Sequence, residues 1–379
     1  MAAPAHDVSQ ILFELGAAIV GLAVLARLAT RLGFSAIPLY LLAGLAFGNG
    51  GLAPLNFSQS FIHTGAQIGV LLLLFMLGVE YTGEELKHNL RIGLPAGAMD
   101  FALNFTPGVI AGLVLGFSPL TSILLGGVTY ISSSGVIARI IGELGWMNNP
   151  ETASVLSVLV LEDLAMAIYL PLVAVLLAGG TPQQTAVAVF IAIATVMVIL
   201  LIALRWGRQI SGFFAHESDE VILLTIFGAV LLVGGLAQRL RVSAAVGAFL
   251  VGIAMSGPVA EKSRRLVAPL RDLFAATFFF FFGMEIDPAT LPAMLLPALV
   301  LAAITAGTKI LTGYWAARGK GVDKKARLRA GMELVARGEF SIVIAGLGAA
   351  AEPRLGPLAA AYVLILVVLG PVLVRFVKS

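Results

Sequence analysis

Leu161-Glu162-Asp163-Leu164 puts two adjacent carboxylates inside an otherwise apolar run from about Ala153 to Leu177. At about 1.5 Å of rise per residue, such a run is long enough to cross a bilayer as a helix. Acids at that depth are costly and are kept for function. They mark the run as a working span whose partners the rest of the fold must supply.

The chain of 379 residues is 59% hydrophobic and 12% charged, with a mean hydropathy of +1.00. Soluble cores cannot hide that much apolar surface, so lipid is its solvent and the class is an all-α polytopic membrane protein. Cysteine is absent, which excludes disulfide frameworks and thiolate metal sites. The net charge of +3 is accounted for by basic residues flanking spans, so no nucleic-acid partner is expected. The first apolar run carries Glu14 and has no small-residue cleavage site, so it reads as a retained helix.

Apolar windows predict about thirteen transmembrane helices. They lie near residues 9–30, 36–50, 62–80, 90–116, 119–142, 151–177, 184–205, 219–238, 242–257, 266–284, 291–317, 327–350 and 357–376. With the N-terminus outside, only Arg239, Arg241 and Arg354 fall in outer loops. Lys309 and Arg337 fall inside spans, and every other Lys and Arg lies on the inner side. This bias predicts an odd number of helices, with the N-terminus outside and the C-terminus cytoplasmic.

Leu41-Leu-Ala-Gly-Leu-Ala-Phe-Gly48 is echoed by Ala245-Val-Gly-Ala-Phe-Leu-Val-Gly252. Leu74-Phe-Met-Leu-Gly-Val-Glu80 is echoed by Phe279-Phe-Phe-Phe-Gly-Met-Glu285. Both echoes are seven spans apart, and an odd offset inverts one copy, as in secondary transporters. The expectation is one transmembrane domain over 1–379. Repeat 1 covers about 9–177, a linker helix about 184–205, and repeat 2 about 219–376.

The fifth and twelfth spans hold equivalent places and each has a polar interruption, Thr129-Tyr-Ile-Ser-Ser-Ser-Gly135 and Glu333-Leu-Val-Ala-Arg-Gly-Glu339. Broken helices in paired positions point to an ion site, because freed carbonyls and half-helix ends can coordinate ions. Counted from the nearest span ends, Glu162, Ser133, Arg337 and Lys309 all lie roughly 13 to 16 Å deep, near the middle of the bilayer. Burial penalises a bare carboxylate, so it takes up either a proton or a small cation, and competition between the two couples their fluxes in opposite directions. Asp163 is expected to hold the ion, with Ser132, Ser133 and Ser134 offering oxygen ligands. Glu162 is expected to pair with Lys309, or less readily with Arg337. Arg337 and Glu339 are placed to neutralise the dipole ends of the second break. Asp100, one turn before Asn104, either lines an aqueous funnel or bonds a neighbour. Glu80 and Glu285, near span ends, read as solvated caps, with Glu80 also a candidate for the funnel. The Phe278–Phe282 run reads as packing or lipid-facing bulk.

Together these residues resemble the cation/proton antiporter-2 family, and within it the Kef-type potassium/proton branch. Ile131-Ser132-Ser133-Ser134 is similar to that branch's Ser-Ser-Thr. Leu161-Glu162-Asp163 stands where Kef proteins have Gln-Asp and sodium/proton relatives have Asp-Asp. The resemblance implies the crossed-broken-helix fold of sodium/proton antiporters. It implies that Asp163 binds ion and proton while Glu162 faces Lys309. It also implies a homodimer with spans 1–3 and 8–10 as scaffold and spans 4–6 and 11–13 as moving core. Glu162 departs from the family pattern and bears on stoichiometry: a titrating Glu162 makes exchange electrogenic, and a paired one leaves it one-for-one. Kef proteins continue into a cytoplasmic nucleotide-binding domain, whereas this sequence stops at Arg375-Phe-Val-Lys-Ser379. Regulation is therefore expected from a separate soluble subunit. The expected function is antiport of K⁺ or Na⁺ against H⁺ in the plasma membrane without a cofactor, K⁺ slightly ahead. A sodium-coupled organic-anion symporter and a gated cation channel are the alternatives. No nucleophile, metal set or nucleotide loop suggests an enzyme.

Overall fold

The computed structural model describes residues 8–32, 36–48, 50–51, 59–79, 83–146, 148–179, 214–239, 244–255, 257–319 and 322–376, with scattered positions between 181 and 212. Every regular element among the described residues is helical, a 3-10 turn at Pro288–Thr290 and the α-helices named next. In chain order these are α1 (Val8–Leu32), α2 (Ile37–Phe47), α3 (Gln59–Val79), α4 (Gly83–Val114), α5 (Pro119–Tyr130), α6 (Ser134–Leu144) and α7 (Thr152–Ala178). After them come α8 (Asp219–Arg239), α9 (Ala244–Ala254), α10 (Gly257–Glu285), α11 (Leu291–Ala316), α12 (Lys324–Glu333), α13 (Glu339–Gly348) and α14 (Leu355–Phe376). Six of the described helices are long and apolar enough to cross a membrane, and shorter apolar helices lie among them. The expected spans fall on these elements, except that most of 184–205 lies outside the described residues.

Faces are set by helical spacing. On α11, Leu296, Val300 and Ile304 are exposed, a stripe for lipid, while Leu301, Thr305 and Lys309 are buried on the other side at the same spacing. On α4, Asp100 and Asn104 are buried in line with Gly108 and Gly112. Those two glycines let α4 lie directly on α5: a Cβ on Gly108 would strike Thr129 and the backbone at Leu125, and one on Gly112 would strike Ser122. Lys309 and the Asp100–Asn104 pair are thereby turned inward by the same pattern that turns aliphatic neighbours outward.

Both predicted interruptions are present. Ser118 caps α5 by accepting from the Thr121 amide at 3.2 Å, with Pro119 at the first helical position, and Tyr130 ends it. Ile131 is extended, and Ser132 and Ser133 carry the chain to α6. Asp323 caps α12, accepting from Ala326 N at 2.7 Å, and residues 334–338 separate α12 from α13. The two breaks cross: Ser133 N–H donates to Ala336 O at 2.9 Å, and Ser132 Oγ donates to Leu334 O at 3.1 Å. Gly338 permits this, since a Cβ there would run into the Ser133 side chain.

The sequence echoes pack crosswise. Gly44 of α2 abuts the backbone of α10 at Phe280 and Gly283, and Gly252 of α9 abuts α3 at Phe75 and Gly78. Each motif thus packs on the counterpart of its neighbour, the same exchange made twice, as a two-fold relation between inverted repeats requires. Phe278 to Phe282 are all buried, so this run is packing and not lipid-facing.

Candidate functional site

At the bundle centre the Lys309 ammonium lies between two carboxylates. Nζ is 2.7 Å from Oδ1 and 2.9 Å from Oδ2 of Asp100, and 2.7 Å from Oε1 of Glu162. All three residues are fully buried. The expected Glu162–Lys309 pair therefore forms, and of the two readings of Asp100 the bond to a neighbour is the one present. Asn104 fixes that neighbour: its Nδ2 donates to Asp100 Oδ1 at 2.9 Å, and its Oδ1 accepts from Thr308 Oγ1 at 2.7 Å. The Tyr130 ring lies beside the ammonium, 5.4 Å from Nζ to the ring centre. Glu162 is held from the first break as well, by the Ser132 amide and by Ser132 Oγ at 3.0 Å.

Asp163 follows Glu162 on α7, about 100° round the helix, and is 2% exposed. Its Oδ2 accepts from Ser134 Oγ at 3.3 Å, at the first residue of α6. The three serines, expected to act as one set, turn to different partners. Ser132 serves Glu162, Ser133 Oγ donates to Glu339 Oε2 at 3.1 Å, and Ser134 faces Asp163. Their successive positions straddle the end of an extended segment, where side chains no longer share a helical face.

Arg337 is fully buried and bonds carbonyls. Nε and Nη2 donate to Thr129 O at 3.2 and 3.0 Å, and Nη1 donates to Leu334 O at 3.0 Å and Val335 O at 3.1 Å. These are the carbonyl ends of α5 and α12, the negative poles of two half-helices that meet there. Glu339 begins α13, at a positive pole. Glu285 is exposed at the last position of α10, and Glu80 lies outside the described residues. Asp163 and Ser134 present hard oxygen donors, the ligand type that alkali cations take, in a place where a carboxylate can equally accept a proton.

Sequence reasoning named Asp100 and Asn104 but not their bond to α11, and it passed over Tyr130. The available signal was the i, i+4 spacing of Asp100 and Asn104 in an apolar run, and a tyrosine directly before a break.

The family model described as "Sodium/hydrogen exchanger, transmembrane" matches residues 17–377. The chain belongs to the sodium/hydrogen exchanger family. This exchanger is 34% identical to the K⁺/H⁺ antiporter subunit KhtU of Bacillus subtilis, over 96% of this chain and 93% of that one. It is 30% identical to the ammonium/H⁺ antiporter subunit AmhT of Alkalihalophilus pseudofirmus, over 97% of this chain and 93% of that one. Among solved structures it resembles the sodium proton antiporter MjNhaP1 from Methanocaldococcus jannaschii. The TM-score is 0.74 at 15% identity, covering 98% of each chain, a likeness of fold. The exchanger is a multi-pass membrane protein, and the Kef-type resemblance read from residues 131–134 and 161–163 agrees with its relatives.

Proposed function

We propose that the chain is a secondary-active antiporter that exchanges K⁺ or Na⁺ for H⁺ by alternating access. Asp163 is the competitive site, with the Ser134 hydroxyl hydrogen-bonded to it. The observation that carries the reading is the placement of a buried Asp163 against the start of α6, at the crossing of two broken helices. A bare carboxylate there is penalised by desolvation, so the site is occupied by one positive guest at a time. Glu162, Lys309 and Asp100 form the pin that holds α4, α7 and α11 together, and Ser132 and Ser133 shape the crossing. Arg337 and Glu339 balance the half-helix poles.

Two names support a partner chain: KhtU and AmhT are each called an antiporter subunit. We assign a separate cytoplasmic regulatory subunit, a homodimer in the plasma membrane, an outside N-terminus and a cytoplasmic C-terminus. Repeats 1 and 2 are taken as about 9–177 and 219–376. The organic-anion alternative loses support because Lys309 is held by two carboxylates and Arg337 by three carbonyls, so neither is offered to an anion. The test is a pH-sensitive dye inside proteoliposomes. K⁺ or Na⁺ added outside moves protons in the opposite direction, with no organic solute and with saturation. A non-saturating current in place of exchange would overturn the reading.

A further inference from the structure

Glu333 ends α12, one turn beyond Arg329 on the same helix, and is fully buried, with neither carboxylate oxygen hydrogen-bonded among the described residues. Glu151, at the start of α7, acts on it electrostatically and is fully buried too. Arg329 is already committed to Glu151, with Nη2 at 2.6 Å and Nε at 2.9 Å from Oε1. Asn149 Nδ2 donates to the same oxygen at 3.2 Å, while Oε2 of Glu151 has no partner. The guanidinium also lies 5.2 Å from the centre of the Trp146 ring, which fixes its position.

Two buried carboxylates and one guanidinium leave a net negative charge and three oxygens that no donor among the described residues reaches. On α11, Tyr314 takes Arg327 of α12, its carbonyl accepting from Nε at 2.9 Å and its ring centre 3.9 Å from the guanidinium carbon. Gly313 of α11 lies on Gly331, and Val367 and Val374 of α14 share a cluster with Ala330 and Leu334. Among the described residues, the charged groups that act on Glu333 are Glu151 and Arg329. Like charges in one buried place resist joint ionisation, and one proton resolves the conflict.

We propose that Glu333 and Glu151 form a proton-binding site of their own, separate from Asp163 and on the side assigned above to the cytoplasm, with the proton held on Glu333. With the proton on, Arg329 and Glu151 pair undisturbed and α7 seats on α12. With the proton off, Glu333 repels Glu151 and competes for Arg329. The strain has a route to the ion site. α7 carries Glu162 and Asp163, and the residue after Glu333 supplies the Leu334 carbonyl that Ser132 bonds.

Infrared titration of the purified protein in lipid nanodiscs reads this site without transport. A protonated-carboxyl band that disappears on titration to alkaline pH is expected in the unmodified chain, absent in Glu333→Gln and retained in Asp163→Asn. Glu151→Gln frees Arg329 for Glu333, so the band should titrate at a pH lower by about one unit or more. In vesicles Glu333→Gln should keep exchange but lose the step in its pH profile that tracks the band. A band unchanged in Glu333→Gln, a titration unmoved in Glu151→Gln, or an unaltered transport profile would overturn the proposal. Should Glu333→Gln not fold, the Glu151→Gln titration decides alone. Loss or survival of exchange in Asp163→Asn bears only on the ion site.

Discussion

Nζ of Lys309 stands 2.7 Å from Oδ1 of Asp100, a contact between α11 and α4 across 209 positions of the chain. The same ammonium lies at the same distance from Glu162 of α7. One cation therefore compensates two acids from two helices, and its removal leaves both uncovered.

Lys309→Ala should consequently destabilise the protein by about 3 to 5 kcal/mol, the usual cost of stranding a buried charge. Asp100→Asn, which leaves Lys309 its bond to Glu162, should cost less, and the Lys309→Ala/Asp100→Asn pair less than the sum. Thermal unfolding in detergent measures all three. A Lys309→Ala protein that melts with the unmodified chain would show the pin to be dispensable.

At the ion site, Asp163→Asn should abolish cation-driven proton movement in proteoliposomes while leaving the melting temperature nearly unchanged, because an amide needs no counter-charge. Asp163→Glu should retain part of the exchange. Normal exchange by the Asn variant would remove Asp163 from the mechanism.

Arg337→Lys should fail despite keeping the charge. The guanidinium spreads four N–H bonds over three carbonyls of two half-helices, a fork that a single ammonium cannot reproduce. Each carbonyl left bare costs about 1 to 3 kcal/mol, so a lower melting temperature and a slower exchange rate are expected. Equal stability of the Lys variant would mean that charge alone suffices.

Gly338→Val tests the crossing itself. A Cβ at 338 meets the Ser133 side chain, so the breaks must part or the serine must turn away from Glu339. Overpacking of this kind costs about 1 to 3 kcal/mol. Exchange should fall more than that of Gly16→Val, where a Cβ meets nothing within 4 Å. Equal activity of the two variants would show that the breaks need not touch.

The alternation of apolar runs with basic loops was enough to establish a lipid-solvated helical bundle, and the Gly-punctuated echoes were enough to expect two inverted halves. The polar stretches 129–135 and 333–339 marked the two interruptions, and the depth of Glu162, Asp163 and Lys309 followed from counting residues along spans. Helical spacing fixes depth and face, because both are properties of a single helix. Partnership is a property of two helices and of their rotation about one another. The bond from Asp100 to Lys309, the divergence of Ser132, Ser133 and Ser134, and the approach of Glu333 to Glu151 were therefore decided only by the tertiary structure. That structure is set by close contacts whose pairing no local pattern gives, Gly44 on Gly283, Gly252 on Gly78 and Gly338 on Ser133. They bring backbones close enough that each buried charge meets a particular neighbour.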